Sequence, residues 1–398
     1  MRILMLTPYL PYPLLSGGQI RTYNLLKKLA KDHDITLFAL IKHDSERKYI
    51  PELAKYCKQV RVFNRSAKPF TLKNIFTALI STYPFLVVRN HASQAIPAIR
   101  AELADRPYDL IHAETFYMMP HLPKTKVPII LVEQTIEYLG YLSFAQKAPW
   151  WLRLLLKTDI AKIIKWEHHY WQACQELIVM SQDDKRFIAQ QVPAQKNISV
   201  VANGVDTDWF NAVARSLPPN PTVLSVGTFK WLPNVEAVQF LVNQVWPLIK
   251  AKIPQAKLNI VGNDPTREVL SYASPDQGIT VTGRIDDIRD AFKQAHVLVA
   301  PVFSGKGTRY KILEAMASGT PVVASEIAVE GLGVTHGVQV LTSNSAEKMA
   351  ELTIDVMTNP SLWTQLSEAG RAFVSAKFDW NQIAQDLDSV YQRLGKDS

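Results

Sequence analysis

The residues best suited to chemistry lie between positions 305 and 319, in the run GKGTRYKILEAMASG. Gly305 and Gly307 allow a backbone to approach a ligand closely, Lys306 sits between them, and Thr308 can cap a following helix. Free N–H groups at that helix start, with Arg309 and Lys311 beside them, suit a diphosphate. Glu314 follows, where its carboxylate could accept hydrogen bonds from ribose hydroxyls. A capped helix with Glu314 as a surface charge is the plain alternative. Against it, the first turn is basic, the wrong sign for its own dipole.

Two weaker candidates sit at other strand ends. Ser16-Gly17-Gly18 precedes an expected helix Ile20–Lys31, where paired glycines fit a phosphate-binding approach or a simple turn. Gly227-Thr228-Phe229-Lys230 places a cation past a strand, either on a diphosphate or as an ordinary surface lysine.

The elements that must position these groups alternate between short apolar runs and segments of helical spacing. Strands are expected at Arg2–Leu6, Asp34–Leu40, Gln59–Phe63, Leu110–Ala113, Ile129–Val132 and Glu176–Met180, then at Thr222–Val226, Lys257–Val261, Ile279–Thr282, Val297–Ala300 and Pro321–Ala324. Continuous apolar strands separated by helices predict parallel sheets covered on both faces, and two series predict two doubly wound α/β domains. The break is placed in a loop near 203–220, ending in the Pro-rich SLPPNP. The segment Trp380–Leu394 carries one apolar face at helical spacing.

The 398 residues suit two domains. Cys57 and Cys174 stand alone, which argues against a zinc site or a disulfide scaffold and fits a reducing cytoplasm. The Pro-broken opening MRILMLTPYLPYPLLSGG reads as a buried strand rather than a leader, and no run of ~20 apolar residues predicts a spanning helix. The net charge of +8 is uneven: 27 basic against 16 acidic residues up to position 200, and 17 against 20 after it. A basic first half fits either an anionic partner or a solvated face. The stretch Ala148–Ile164, with Trp150, Trp151, Arg153, Lys157 and Lys162, reads either as a helix packed on the first sheet or as one whose tryptophans lie on an anionic membrane.

Over nearly the whole chain the motifs resemble the retaining, GT-B-fold glycosyltransferases of family 4. The resemblance runs through Gly17, Gly18 and Arg21, ANGVD at Ala202–Asp206, VGTFKWLPN at Val226–Asn234 and VTGRIDD at Val281–Asp287. It closes with GTRYKILEAMASGTPVV at Gly307–Val323, in the GKGTRYKxLEAM form, followed by Glu330-Gly331-Leu332. It implies two Rossmann-like domains facing a central cleft: an acceptor-binding domain at 1–205, joined by a returning helix at 380–398, and a donor-binding domain at 206–379. It also implies a sugar nucleotide such as a UDP- or GDP-sugar as donor, a glycan or lipid-linked acceptor, no nucleic acid, no cofactor and no metal, in polysaccharide or glycolipid synthesis. The location would be cytoplasmic, at the inner face of a membrane.

Carried onto this chain, the resemblance puts Glu314 on the ribose and Lys311, Arg309, Thr308 and Gly307 at the phosphates and sugar. Lys230 would meet the diphosphate, and Gly283 and Arg284 the nucleobase. Lys306 stands where a first glutamate is common, eight residues before Glu314, with the loop glycines in its place. In LVEQTIEYL, residues 131–139, Gln134 and Thr135 replace the His and Asn of an acceptor-side motif, leaving His112 as another histidine at a strand end. The alternatives are a nucleotide-sugar 2-epimerase of similar build and a non-catalytic ligand- or nucleic-acid-binding protein.

Overall fold

A computed structural model describes residues 1–212, 216–304 and 310–396. The chain divides into two compact units, Met1–Asn203 with Ile383–Ser398, and Gly204–Gln382. Each is built on one wholly parallel sheet.

In the first unit the strands are β1 (Arg2–Thr7), β2 (Asp34–Ile41), β3 (Gln59–Asn64), β4 (Leu110–Glu114), β5 (Ile129–Glu133), β6 (Glu176–Val179) and β7 (Ile198–Val200). Their order is β3-β2-β1-β4-β5-β6-β7. In the second, β8 (Thr222–Thr228), β9 (Lys257–Asn263), β10 (Ile279–Thr282), β11 (Val297–Ala300), β12 (Val322–Ala324) and β13 (Leu341–Thr342) take the order β10-β9-β8-β11-β12-β13. A continuous Val, Leu and Ala run makes β11 apolar on both faces. β4 is equally buried although it carries His112 and Glu114. The order reverses at β1/β4 in one sheet and at β8/β11 in the other. Beyond the carboxyl ends of such paired strands an open α/β sheet leaves a crevice for ligands.

Several strands run one or two residues past the apolar pattern, ending on Glu114, Glu133 and Asn263. The hydrogen-bonded ladder continues past the apolar run into polar residues at the strands' carboxyl ends, and Glu114 and Glu133 are buried there all the same. The short strands β7 and β13 carry too few residues to show a period.

Four expectations are corrected. The helix after β1 starts at Gly17 and ends at Leu29, with Ser16 as its cap, so the paired glycines form its first turn rather than a loop before it. Within the expected linker loop, Thr207–Asn211 is a helix: Asp206 accepts from the Trp209 amide at 2.9 Å, and Phe210 is buried beside Phe292. The last strand of the expected series begins at Val322, not Pro321, whose ring has no N–H for the ladder. Finally, the helix Trp150–Ala173 buries Ile160, Ile163, Glu167 and Trp171, but Leu154 and Leu155 are exposed. Leu154 and Leu155 therefore do not pack on the sheet.

The last helix, Trp380–Lys396, buries Ile383, Leu387, Val390, Tyr391 and Leu394. From Ile383 onward it belongs to the first unit.

Candidate functional site

In the second unit the site is assembled at the β8/β11 switch. The chain leaves β8 through Phe229 and Lys230 and enters the helix Leu232–Phe240, with Pro233 in its first turn. After β11, Ser304 donates to Glu236 on that helix at 2.9 Å, and Phe303 meets Phe240 edge-on at 4.8 Å. These contacts fasten the segment directly after β11 to that helix. Gly305, Lys306, Gly307, Thr308 and Arg309 lie outside the described residues.

The helix Tyr310–Ala317 follows and buries Ile312, Leu313, Ala315, Met316 and Ala317, which leaves Lys311 and Glu314 together on the other face. Lys311 Nζ donates to Asn234 Oδ1 at 2.9 Å, and Asn234 Nδ2 donates to the Thr228 carbonyl, also at 2.9 Å. This chain joins the end of β8 to the helices Leu232–Phe240 and Tyr310–Ala317. Glu314 is half-buried, and among the described residues its carboxylate has no hydrogen-bond partner. Burial pushes its pKa up to about 7, with the Lys311 charge opposing the rise.

The other predicted donor-side residues are more peripheral. Lys230 is 57% exposed and 3.9 Å from Asp264, a weak rim pair. Gly283 and Arg284 follow the edge strand β10 and are exposed, with open space around the Gly283 Cα. Two strands separate them from β11, roughly 14 Å at ordinary strand spacing.

The first unit holds a buried polar chain at its own switch. Gln134 Nε2 donates to Tyr9 Oη at 2.7 Å and to Glu114 Oε2 at 2.6 Å. Glu114 Oε1 lies 3.1 Å from His112 Nε2, and His112 Nδ1 lies 2.7 Å from Tyr391 Oη. Burial raises the Glu114 pKa, but the His112 hydrogen bond and charge, with Arg21, outweigh it and hold the carboxyl below its usual range. Arg21 is itself buried and donates to the Ala202 carbonyl at 2.6 Å.

This arrangement changes two expectations. His112 is fully buried with its ring between Glu114 and Tyr391, which favours a structural role for it over an acid–base one. A Cβ on Gly18 would lie 2.6 Å from Tyr9 Oη and 2.8 Å from Gln134 Oε1. Glycine is needed at 18 for close packing against the protein's own side chains. Gly17 precedes it in the same first turn. Sequence reasoning quoted Asn234 and Gln134 within motifs but gave neither a position in a hydrogen-bonded chain. Each is a polar residue just past a strand that leads to a switch, which is the signal available for them.

Known proteins were compared with this chain. Residues 15–209 match the family described as Glycosyltransferase Family 4, and residues 220–359 match Glycosyl transferases group 1. A 44.6 kDa protein in cps region of Klebsiella pneumoniae is 21% identical over 97% of this chain and 98% of its own length. A phosphatidyl-myo-inositol mannosyltransferase of Mycobacterium tuberculosis is 30% identical over 49% of this chain and 53% of its own length. Among solved structures, a sucrose-phosphate synthase of Thermosynechococcus elongatus superposes with a TM-score of 0.70 at 20% identity, covering 100% of both chains. HepE of Anabaena, in complex with UDP and glucose, does so with a TM-score of 0.67 at 16% identity, covering 99% of this chain and 100% of that one. The comparisons favour sugar transfer over epimerisation, and the matched families are enzymes, which sets aside the non-catalytic alternative.

Proposed function

We propose that this chain, being a glycosyltransferase of the family 4 type with the GT-B fold, moves a sugar from a nucleotide-diphosphate sugar to a hydroxyl acceptor with retention at the anomeric carbon. The observation that carries this reading is the chain from Thr228 through Asn234 to Lys311, with Glu314 on the same helix face. It supplies a fixed cation and a hydroxyl-binding carboxylate at one strand switch. The second unit then holds the donor, with Glu314 on the ribose and Lys311, Lys230 and Arg309 at the diphosphate. Gly305, Lys306, Gly307 and Thr308 supply the loop, in the GKGTRYKxLEAM form, and Gly283 and Arg284 the nucleobase side. The first unit takes the acceptor near the helix that starts at Gly17.

In the proposed reaction the bond from the anomeric carbon to the diphosphate oxygen breaks, and its electron pair leaves with the diphosphate. The acceptor oxygen bonds to that carbon on the same face, and its proton passes to the departing phosphate. Fixed cations stabilise the developing charge without reorganising, so no metal or further cofactor is called upon. Thermal-shift titration with UDP-, GDP- and ADP-sugars tests the donor reading. At a hundredfold excess over Kd the cognate nucleotide sugar stabilises the protein by roughly 2.7 kcal/mol. No shift with any of the three, at concentrations that saturate a millimolar site, would sink it.

The acceptor is proposed to be a glycan or lipid-linked hydroxyl in cell-surface polysaccharide or glycolipid synthesis, at the cytoplasmic face of an anionic membrane. Relatives named for phosphatidylinositol mannosides and for a cps region support this reading. So does an apolar surface on the first unit. Trp150 is 74% exposed, with Trp151, Leu154 and Leu155 beside it. The helix Leu72–Ile80 adds exposed Leu72, Phe76, Leu79 and Ile80, and is fastened to Trp150–Ala173 where Lys162 Nζ donates to the Ala78 and Ser81 carbonyls. Exposed Lys68, Lys73 and Lys157 supply charge for an anionic leaflet. Among the described residues no helix is long and apolar enough to cross a membrane. The protein is expected to float with phosphatidylglycerol vesicles at low salt and not with phosphatidylcholine alone, and a Trp150→Ser/Phe76→Ser variant is expected to stay behind. Absence of flotation at low salt removes the membrane from the reading.

A further inference from the structure

The first unit also brings together two arginines where the chain leaving β3 meets the helix Phe85–Asn90, apart from the Tyr9–Gln134–Glu114 chain. Arg65 comes directly after β3, and its Nη1 donates to Asn90 Oδ1 at 2.6 Å. Asn90 and Arg89 end the helix Phe85–Asn90, so this bond lays one guanidinium against the segment that carries the other. The Nε atoms of both arginines are buried and have no hydrogen-bond partner. Among the described residues neither arginine forms an ion pair.

Tyr117, just past β4, and Glu137 and Tyr141, on the helix Glu137–Lys147, complete the surroundings. The Arg89 charge acts on all three and on Arg65. Asp159 and Glu46 are the remaining carboxylates that feel these arginines, but each has another task. Asp159 accepts from the Phe85 amide at 2.7 Å, and Glu46 from the Lys42 and His43 amides. Burial pushes Glu137 up to about 7 against the Arg89 charge, so near neutral pH it is only partly ionised and compensates the two arginines in part. Burial likewise lowers the Arg65 pKa, and the Arg89 charge adds to the effect.

Two like charges held near one another, each with an unsatisfied buried donor, are unfavourable when empty. An unmade buried hydrogen bond costs about 1–3 kcal/mol. A tetrahedral dianion with several acceptor oxygens relieves both faults, because each guanidinium can donate through parallel N–H groups. A buried phenol at Tyr117, kept protonated by desolvation and by Glu137, adds a neutral donor.

We propose that Arg65 and Arg89, with Tyr117, bind a phosphate group carried by the acceptor, as a phosphomonoester. The inference rests on the reading that the first unit takes the acceptor. The phosphate belongs either to a soluble sugar or polyol phosphate or to a lipid headgroup.

Calorimetric titration of the full chain with glycerol phosphate, and with phosphatidic acid vesicles, in the presence of saturating UDP, tests this. Binding of one of the two is expected, and it should weaken about tenfold or more in Arg65→Gln and in Arg89→Gln. Arg89→Lys, which keeps the charge but loses the fork, should bind with intermediate strength. Without ligand, Arg89→Gln should melt no lower than the parent, since it removes an unpaired charge, whereas Arg65→Gln also loses the Asn90 bond. Retained UDP binding in these variants separates the acceptor subsite from the donor reading, which fails independently if UDP never binds. Parent-like phosphate binding in both glutamine variants, or no response of the parent to either probe, overturns the proposal.

Discussion

Lys311→Ala is expected to lower turnover by about a hundredfold, and Glu314→Ala by at least about tenfold, with the protein folded in both cases. Lys311 is held by Asn234 in one orientation at the end of the β8 loop, so its charge needs no rearrangement when negative charge develops nearby. Glu314 acts earlier, in holding the donor. Its carboxyl, pushed up to about 7 by burial, must ionise to accept two hydroxyl hydrogen bonds. Below that pH the neutral form predominates and donor affinity falls. A plot of log(kcat/KM) for the donor against pH should therefore bend near 7 and decline on the acid side. The bend should vanish in Glu314→Gln. In Lys311→Ala it should move to higher pH, because the Lys311 charge is what opposes the rise. The folded-state shift has the opposite consequence for the empty protein. With a folded pKa above the ordinary 4.5, stability at this position is full below that value and lost as the pH rises toward 7. Glu314→Gln should accordingly melt higher than the parent at pH 8 while binding donor more weakly. Near-parental rates in both Lys311→Ala and Glu314→Ala would remove these residues from the site.

Gly262→Ala is the second large effect, and it falls on stability. Gly262 pairs in register with Gly227 across β8 and β9. A Cβ at 262 would lie 1.7 Å from the Gly227 carbonyl oxygen. The obstacle is backbone, near the carboxyl end of the β8–β9 ladder, so no side chain can swing aside and the strands must part there. The cost should exceed about 4 kcal/mol, beyond the range of ordinary point substitutions. Urea unfolding followed by tryptophan fluorescence should show a much weakened transition, and limited proteolysis should cut within residues 220–340 first. Gly227→Ala makes an instructive contrast. Its Cβ would meet Asn234 Cγ at 3.1 Å, a side chain that can move. Moving Asn234 disturbs the group that holds Lys311, so that variant should lose activity more than stability. Equal stability of Gly262→Ala and the parent would contradict the β8–β9 register.

The two parallel sheets were legible because their strands are almost continuously apolar, as in Ile3–Leu6 and Val297–Ala300, and such runs form only where both faces are covered. The switch residues were less legible. Glu114, Glu133 and Asn263 lie in strands, but their polarity ends the apolar pattern, so a reading by periodicity stops before them. Lys311 and Glu314 could be singled out because a basic helix start opposes its own dipole. Their link to Asn234 is a contact between helices separated by 77 positions, which no local spacing encodes. Arg65 and Arg89 carry no motif at all. They stand out only when the chain after β3 meets the helix Phe85–Asn90 and two buried Nε atoms are left without partners. His112 shows the reverse case: a histidine at a strand end suggests acid–base work, and burial against Tyr391 assigns it to support.

The bond between Tyr391 and His112 also bears on how the chain matures during synthesis. The first unit's own continuous segment ends at Asn203, yet the interior around His112 and Glu114 is closed by a residue translated 188 positions later. At roughly 5–20 residues per second, that interval lasts about 10–40 s. Throughout it a nascent sheet carrying a buried carboxylate and histidine lacks its final cover, while the second unit is made and can fold. The first unit is thus begun first and finished last, and truncation before Tyr391 harms the domain made earliest.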